Sequence, residues 1–434
     1  MTPTIVHLSR GALGLVFLLA LCYLLSNNRK AINWRLVGLG VLAQATFALG
    51  VLWEGRYNIF RIFIQWCSEK FVELINLAHK GIEFIFGNLA DASGSWAYVF
   101  GVQVLPNIIF FSALSALLYY LGVLQAVVRF FAMLLSRLRI SGAESVSTAA
   151  NIFLGQTEAP IMIRPFLEKM NRSEILCIMV GGMANTAGSV LAAYVGFLGG
   201  ADVVQQKYFA LHLLSQSIMS APAAIVCAKM LFPQTEPVEK RVEVSRERLG
   251  DNALDAISLG TTDGLRLAVN VGAMLIVFTA FMYVLNWILG SVGHHLGIND
   301  DIQRISAGRY DGLSFQMLLG YLFSPIAWMI GVDGREIVQV GQLLGEKTVI
   351  NEFQAYISFS RMKESGLISD PKSILITTYA LCGFANFASI GIQIGGISQL
   401  APNQRRNLTE LGFKALIGGT IACLMCACIA GALA

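Results

Sequence analysis

The sequence predicts an all-α polytopic membrane protein: eight transmembrane helices, two opposed re-entrant helical hairpins and interfacial helices, arranged as an inverted repeat. Three observations carry this expectation. Of the 434 residues, 55% are hydrophobic and 13% charged, about half the charged share of a soluble domain. Apolar runs long enough to cross a bilayer recur along the chain. Finally, two short apolar segments each hold one glutamate, and each precedes a run with the same pattern, Gly182-Met183-Ala184-Asn185-Thr186-Ala187 and Gly383-Phe384-Ala385-Asn386-Phe387-Ala388. A carboxylate at membrane depth costs about 2.5–3.5 kcal/mol on insertion scales, so Glu158 and Glu352 read as buried and functional.

The first span, residues 11–27, follows a weakly basic flank (His7, Arg10) and has no small-residue cleavage pattern, so it reads as a retained helix and not a signal peptide. A second span covers 36–53. Residues 55–90 mix charges with Phe60, Phe63, Trp66, Phe71, Phe84 and Phe86 at helical spacing, as an interfacial helix does. The third span, 97–124, is followed by an apolar amphipathic piece, 125–140, and by segment 142–170, which is broken at Gly155 and holds Glu158. Spans four and five are 174–200 and 208–231. Beyond a loop come span six (267–290), a second amphipathic piece (313–331), segment 334–360 broken at Gly345 and holding Glu352, and spans seven (374–398) and eight (414–433). Pro106, Pro222 and Pro325 are expected to bend helices.

Basic residues orient these spans. Arg29, Lys30 and Arg35 follow span one, Arg129, Arg137 and Arg139 follow span three, Lys229, Lys240, Arg241, Arg246 and Arg248 follow span five, and Arg405 and Arg406 precede span eight. The positive-inside rule then puts all of them in the cytoplasm and both termini outside. The first glutamate segment enters from the cytoplasm and the second from outside. Span three starts outside and span six inside, so two units of like order have inverted topology, the construction of alternating-access carriers.

The chemistry-bearing residues sit at the two breaks. At residues 154–157 one half-helix ends with free carbonyls and another begins with free N–H groups, suited to a cation and to a polar or anionic group respectively. Gln156, Thr157 and Glu158 add amide, hydroxyl and carboxylate, a set that matches the donor and acceptor edges of a neutral polar solute. Asn351 and Glu352 offer acceptors for hydroxyls. Asn386 and Ser389 stand three apart on one face of span seven, and either Phe384 or Phe387 can stack on a flat ligand. Plainer readings stand beside these. Glu158 can pair with Arg164 or Lys169, and Glu352 with Lys347. Asn185 and Asn386 can serve as helix-to-helix hydrogen-bonding residues, and His212 reads more readily as a packing residue than as a proton relay. Seven of the eight cysteines lie in apolar stretches and read as packing residues. The chain shows no nucleophile constellation and no metal-ligand cluster, so it is not expected to be an enzyme, and a net charge of +4 gives no reason to expect a nucleic acid polymer as partner. Two other classes stay open: a dicarboxylate or amino-acid carrier, whose anionic substrate would need an arginine beside a tip where none stands, and a membrane-embedded enzyme using Glu158 as base.

Gly155-Gln156-Thr157-Glu158-Ala159-Pro160, Thr348-Val349-Ile350-Asn351-Glu352-Phe353, Leu381-Cys382-Gly383-Phe384-Ala385-Asn386 and Arg266-Leu267-Ala268-Val269-Asn270-Val271-Gly272-Ala273-Met274-Leu275 together resemble the concentrative nucleoside transporter family over residues 10–434. The eight-span length is similar to its bacterial members. The resemblance implies a homotrimer in a bacterial inner membrane that imports nucleosides such as uridine with Na+. Its scaffold would hold residues 95–140 and 264–332 and its mobile transport regions 141–232 and 333–434, with 1–54, 55–94 and 233–263 as N-terminal helices, interfacial helix and cytoplasmic loop. It further implies that Gln156, Thr157 and Glu158 bind the base, that Glu352, Asn386 and Ser389 bind the ribose with Phe384 nearby, and that Na+ sits at Asn151, Leu154, Thr157, Asn185 and Thr186. The sodium-coupled pattern has serine where this chain has Asn185, which keeps proton coupling as the alternative.

Overall fold

The computed structural model describes residues 3–53, 58–90, 99–244, 250–306 and 308–433. Arg246 and Arg248 of the basic loop, and the first residues of the expected 97–124 span, lie outside the described residues. Helices α1 (Pro3–Leu24) and α2 (Trp34–Leu52) lead into α3 (Ile59–Phe86), whose buried residues Ile64, Ser68, Val72, Ile75, Ala78 and Ile82 form one stripe, as a helix lying on a core requires. Asn33 and Asn58 cap α2 and α3 through their side-chain oxygens. Then follow α4 (Leu105–Tyr120), the short amphipathic α5 (Val123–Leu135), α6 (Gly142–Ala150), α7 (Arg172–Ala184), α8 (Gly188–Gly199) and α9 (Val203–Leu231). The second half repeats that order with α10 (Ala253–His295), α11 (Phe315–Met329), α12 (Ile337–Val349), α13 (Glu352–Glu364), α14 (Pro371–Leu381), α15 (Phe387–Leu400) and α16 (Arg405–Leu433).

Seven helical stretches among the described residues are long and apolar enough to cross a membrane. The expected eighth, 374–398, is divided into α14 and α15 by the turn Cys382–Asn386, and span four is likewise divided into α7 and α8. The repeated Gly-x-Ala-Asn pattern therefore marks helix breaks and not continuous helices. Gly383 explains the second break: its φ is +124°, and a Cβ there would lie 2.7 Å from the Ala184 carbonyl and the Cys423 sulfur. Three other expectations are corrected. Gly345 does not break the second hairpin; it lies within α12, pressed against Leu319 of α11, and the chain turns at Ile350–Asn351. Pro106 starts α4 instead of bending a helix. The sixth span is longer than 267–290, because α10 runs 43 residues from an Asn252 cap.

The bundle has an inside and an outside. In the most apolar 18-residue window of Arg172–Gly199, 94% of the residues are buried, against 22% in that of α10, which exposes Val269, Ile276, Phe281, Tyr283 and Trp287. An apolar helix with an uncovered apolar face belongs against lipid or another chain. Small residues bring the helices close: Gly260 and Gly264 of α10 press on Ser112, Ala113 and Ala116 of α4, and Gly418 and Gly419 of α16 on Val180 and Met183 of α7. Both breaks, residues 185–187 and 382–386, are buried, although α15 beyond the second buries only Ser389, Gln393 and Ile397.

Candidate functional site

The first hairpin starts from a capping box, in which Ser141 Oγ accepts from Glu144 N and the Ser141 amide donates to the Glu144 carboxylate. Glu144 is fully buried and takes an ion pair from Lys229 Nζ of α9 at 2.5 Å, while Lys229 also donates to Ser173 and Gln234. This network fixes the base of α6 against α7 and α9. Beyond Ala150 the chain turns, and the Phe153 carbonyl accepts from Gly188 N, the start of α8, at 3.0 Å. The free carbonyls expected here are thus partly used by the broken span opposite. The chain after the tip continues as a 3-10 turn, Ala159–Ile163, and not as a regular half-helix.

The second hairpin restarts at once. Asn351 caps α13 by accepting from Gln354 N, and Glu352 is buried in its first turn. Its Oε2 accepts from Asn386 Nδ2 at 2.7 Å. Asn386 in turn caps α15, its Oδ1 taking the Ser389 amide at 2.9 Å, and Ser389 Oγ accepts from Gln156 Nε2 of the first tip at 3.2 Å. A continuous chain of hydrogen bonds, Glu352–Asn386–Ser389–Gln156, therefore joins both tips through the break in span seven. Asn386 and Ser389 meet by capping, not by sharing a helical face as expected. The expected pairing of Glu352 with Lys347 is replaced: Lys347 Nζ donates to the Ala380 carbonyl at 2.8 Å, at the C-terminal end of α14, where a cation complements the helix dipole.

Glu158 is placed differently from its expected burial. It is exposed, accepts from the Gly155 amide at 3.3 Å, and faces a cavity of about 110 Å³ between α4, α10 and the first hairpin, lined also by Ser112, Ser115, Tyr119, Ser189 and Asp263. The cavity does not reach Gln156, Glu352 or Asn386. Thr157 is half-buried, with its methyl side against Gly396 of α15. Phe384 is buried in the core, and its amide donates to the Asn185 carbonyl at 3.3 Å, so the two breaks touch directly.

Of the ion residues, Asn151 and Asn185 both face α7. Asn151 Nδ2 donates to Ser147 O, and its Oδ1 is buried with no hydrogen-bond partner among the described residues. Asn185 Nδ2 donates to Gly181 O, and its Oδ1 accepts from Ser220 Oγ at 2.5 Å. Thr186 Oγ1 lies 3.3 Å from Cys382 Sγ. His212 packs on Tyr208 and lies 3.4 Å from the Tyr379 hydroxyl, the packing role expected.

Three residues were not singled out from the sequence. Gln216 Nε2 donates to the carbonyls of Ala184 and Cys382, the last carbonyls on each side of the crossing, and Cys423 Sγ donates to the Cys382 carbonyl at 2.9 Å. Gln393 Nε2 donates to Met179 O and packs on Gly182. Gln216 and Cys423 thus satisfy backbone carbonyls that the two breaks release. Gln393 had a signal: it stands four residues after Ser389, on the same helical face.

Comparisons with known proteins agree with one another. The signature of the Na+ dependent nucleoside transporter C-terminus matches residues 212–431, that of the N-terminus 13–89, and one described as nucleoside recognition 101–201. An uncharacterized transporter of Haemophilus influenzae is 42% identical over 96% of this chain and 96% of that protein. Sodium/nucleoside cotransporter 1 of Rattus norvegicus is 36% identical over 97% of this chain, which spans 63% of that protein's length. The structure of CNTnw in an inward-facing substrate-bound state superposes with a TM-score of 0.86 at 38% identity, covering 98% of each chain.

Proposed function

We propose, for a chain that belongs to the Na+-dependent nucleoside transporter family, a function as a cation-coupled importer of nucleosides such as uridine. That family consists of multi-pass membrane transporters and not enzymes. The observation that carries the finer reading is the hydrogen-bonded chain Glu352–Asn386–Ser389–Gln156. It gathers, at one place, groups from both hairpin tips and from the break in span seven, and each is a donor or acceptor that a hydroxylated solute can replace at little cost. Glu352, Asn386 and Ser389 hold the ribose, with Phe384 at their back. Gln156, Thr157 and Glu158 read the base. Glu158 and Asp263 face the same cavity, which disfavours an anionic solute.

In this reading the two hairpins are re-entrant and enter from opposite faces of a bacterial inner membrane, within eight spans related as an inverted repeat and with both termini periplasmic. Three chains form a trimer whose scaffold includes α4 and α10. The hairpins and the broken spans move across it as one body in an elevator-like step. The stitching of the two breaks by Gln216 and Cys423 supports their moving together.

The coupling cation is cargo, and its oxygens come from Asn151, Leu154, Thr157, Asn185 and Thr186. The buried, unpartnered Oδ1 of Asn151 fits that assignment, since Na+ takes oxygen ligands. A second reading, proton coupling, is favoured by one observation: the Asn185 oxygen is already engaged by Ser220. Uridine uptake into proteoliposomes separates the two. An inward Na+ gradient at clamped pH is expected to drive accumulation. Equal uptake with K+, stimulated by acid outside, transfers the coupling to protons, and no uptake of any nucleoside under either gradient removes the function.

A further inference from the structure

A third carboxylate lies in the second hairpin, and neither the substrate site nor the ion site uses it. Glu346 sits on α12 and is 1% exposed. Its Oε1 accepts from the Gln342 amide at 2.8 Å, and its Oε2 has no hydrogen-bond partner among the described residues. The ion pairs within 4.0 Å among the described residues leave it out. Its neighbour Lys347 is the natural candidate to neutralise it, but that ammonium is committed to the Ala380 carbonyl of α14.

The surroundings hold no compensating charge in contact. From α11 the hairpin is met by Leu319 against Gly345 and by the Gly320 backbone against Gly341. From the loop before α11, the Tyr310 hydroxyl reaches Gln342 Oε1 at 3.4 Å. From α13 the facing polar groups are Ser358 and Arg361, and Arg361 is exposed at the hairpin's edge. From α10, Thr279 meets Gln354 of α13. A carboxylate with one bare oxygen in such a place is costly, whereas a protonated carboxyl is neutral and turns that bare oxygen into a small dipole.

We propose that Glu346 is a proton-binding site built into the second hairpin, protonated while α12 is packed against α11 and α13 and ionised when that packing parts. The proposal rests on the second hairpin being a moving part of a nucleoside transporter. Parting admits water to Oε2 and so favours the charged form. The proton therefore belongs to the closed hairpin, and closure is favoured by acid and opposed as pH rises. This site is separate from the Asn185 region, so it acts whichever cation supplies the driving force.

Two measurements on the full-length protein test it. In purified wild-type protein near neutral pH, infrared spectra are expected to contain a protonated-carboxyl C=O absorption that Glu346→Gln lacks; identical carboxyl bands overturn the proposal. In proteoliposomes with a fixed Na+ gradient and equal pH on both sides, wild-type uridine uptake is expected to fall about five-fold between about pH 6 and about pH 8.5, while Glu346→Gln stays at the acid level throughout. Glu346→Asp, which keeps a titrating group, is expected to retain the fall. Parallel pH profiles for wild type and Glu346→Gln also overturn it. If wild type takes up no uridine at any pH, the transport reading fails, and the infrared comparison still decides the proton.

Discussion

At the tip of the second hairpin the helix restarts directly after Asn351, and Glu352 is 3% exposed with Asn386 Nδ2 at 2.7 Å. At the tip of the first, the chain passes from Ala150 to Ala159 without regular helix, and Glu158 stands exposed beside its own Gly155 amide. Both tips come from the same position in a repeated order of elements, yet one is a finished half-site and the other an open one. The difference lies in the partner across each tip. Glu352 faces Asn386, a helix cap already held in place by its own hydrogen bond, so its desolvation is compensated before any ligand arrives. Glu158 faces a cavity walled by α4 and α10, and its compensation waits for whatever fills that space.

The comparison breaks or sharpens under substitution. Glu352→Gln has the largest expected effect, because it removes the charge from a buried charge-assisted bond and leaves only a neutral amide oxygen to accept from Asn386 Nδ2: uridine affinity by calorimetry should fall by about 100-fold or more. Normal affinity would take Glu352 out of the site. Next comes Gly383→Ala, expected to lower stability by about 2–3 kcal/mol in thermal unfolding with retained detergent solubility. Gly182→Ala at the corresponding position, where the backbone is helical and a Cβ would meet Gln393 Nε2 at 2.6 Å and Gln156 Cβ at 2.9 Å, should cost less, about 1–2 kcal/mol. Equal losses would mean that the two breaks are not built differently. Glu158→Gln is expected to weaken uridine by about 10-fold, less than Glu352→Gln because no side chain among the described residues is hydrogen-bonded to it beforehand; a larger effect than at Glu352 would reverse the ranking of the tips. The smallest change is Ser220→Ala, which frees the Asn185 oxygen and should lower the Na+ concentration for half-maximal uptake by about three-fold. An unaltered Na+ dependence would remove Asn185 from the ion site.

Much of this was legible in the residues because the signals are local. Ser141 with Glu144 announces the start of α6, Asn171 with Glu174 that of α7, and a glutamate in an apolar run announces a polar site. Asn386 misled because an asparagine in an apolar run reads equally as inter-helix glue and as a cap; the chain breaks just before it at Gly383, where the φ of +124° and the nearby Ala184 carbonyl and Cys423 sulfur leave no room for a side chain. Gly345 misled in the opposite sense. It is there to admit Leu319, not to break a helix. Whether Glu158 is covered was not legible at all, since that depends on how far α4 and α10 stand from the first tip.

The length of α10 has a consequence of its own. Its 43 residues reach about 65 Å at 1.5 Å per residue, against about 40–45 Å for a bilayer with its headgroups. Even at a tilt of about 40° it overshoots, so one end stands clear of the lipid. A rod of fixed length in a film of variable depth answers thinning or thickening by leaning. Gly260 and Gly264 press that rod onto α4, and Gly260 also walls the cavity that Glu158 faces. Gly260 thereby makes the packing of that rod on α4 part of the wall of the cavity that Glu158 faces.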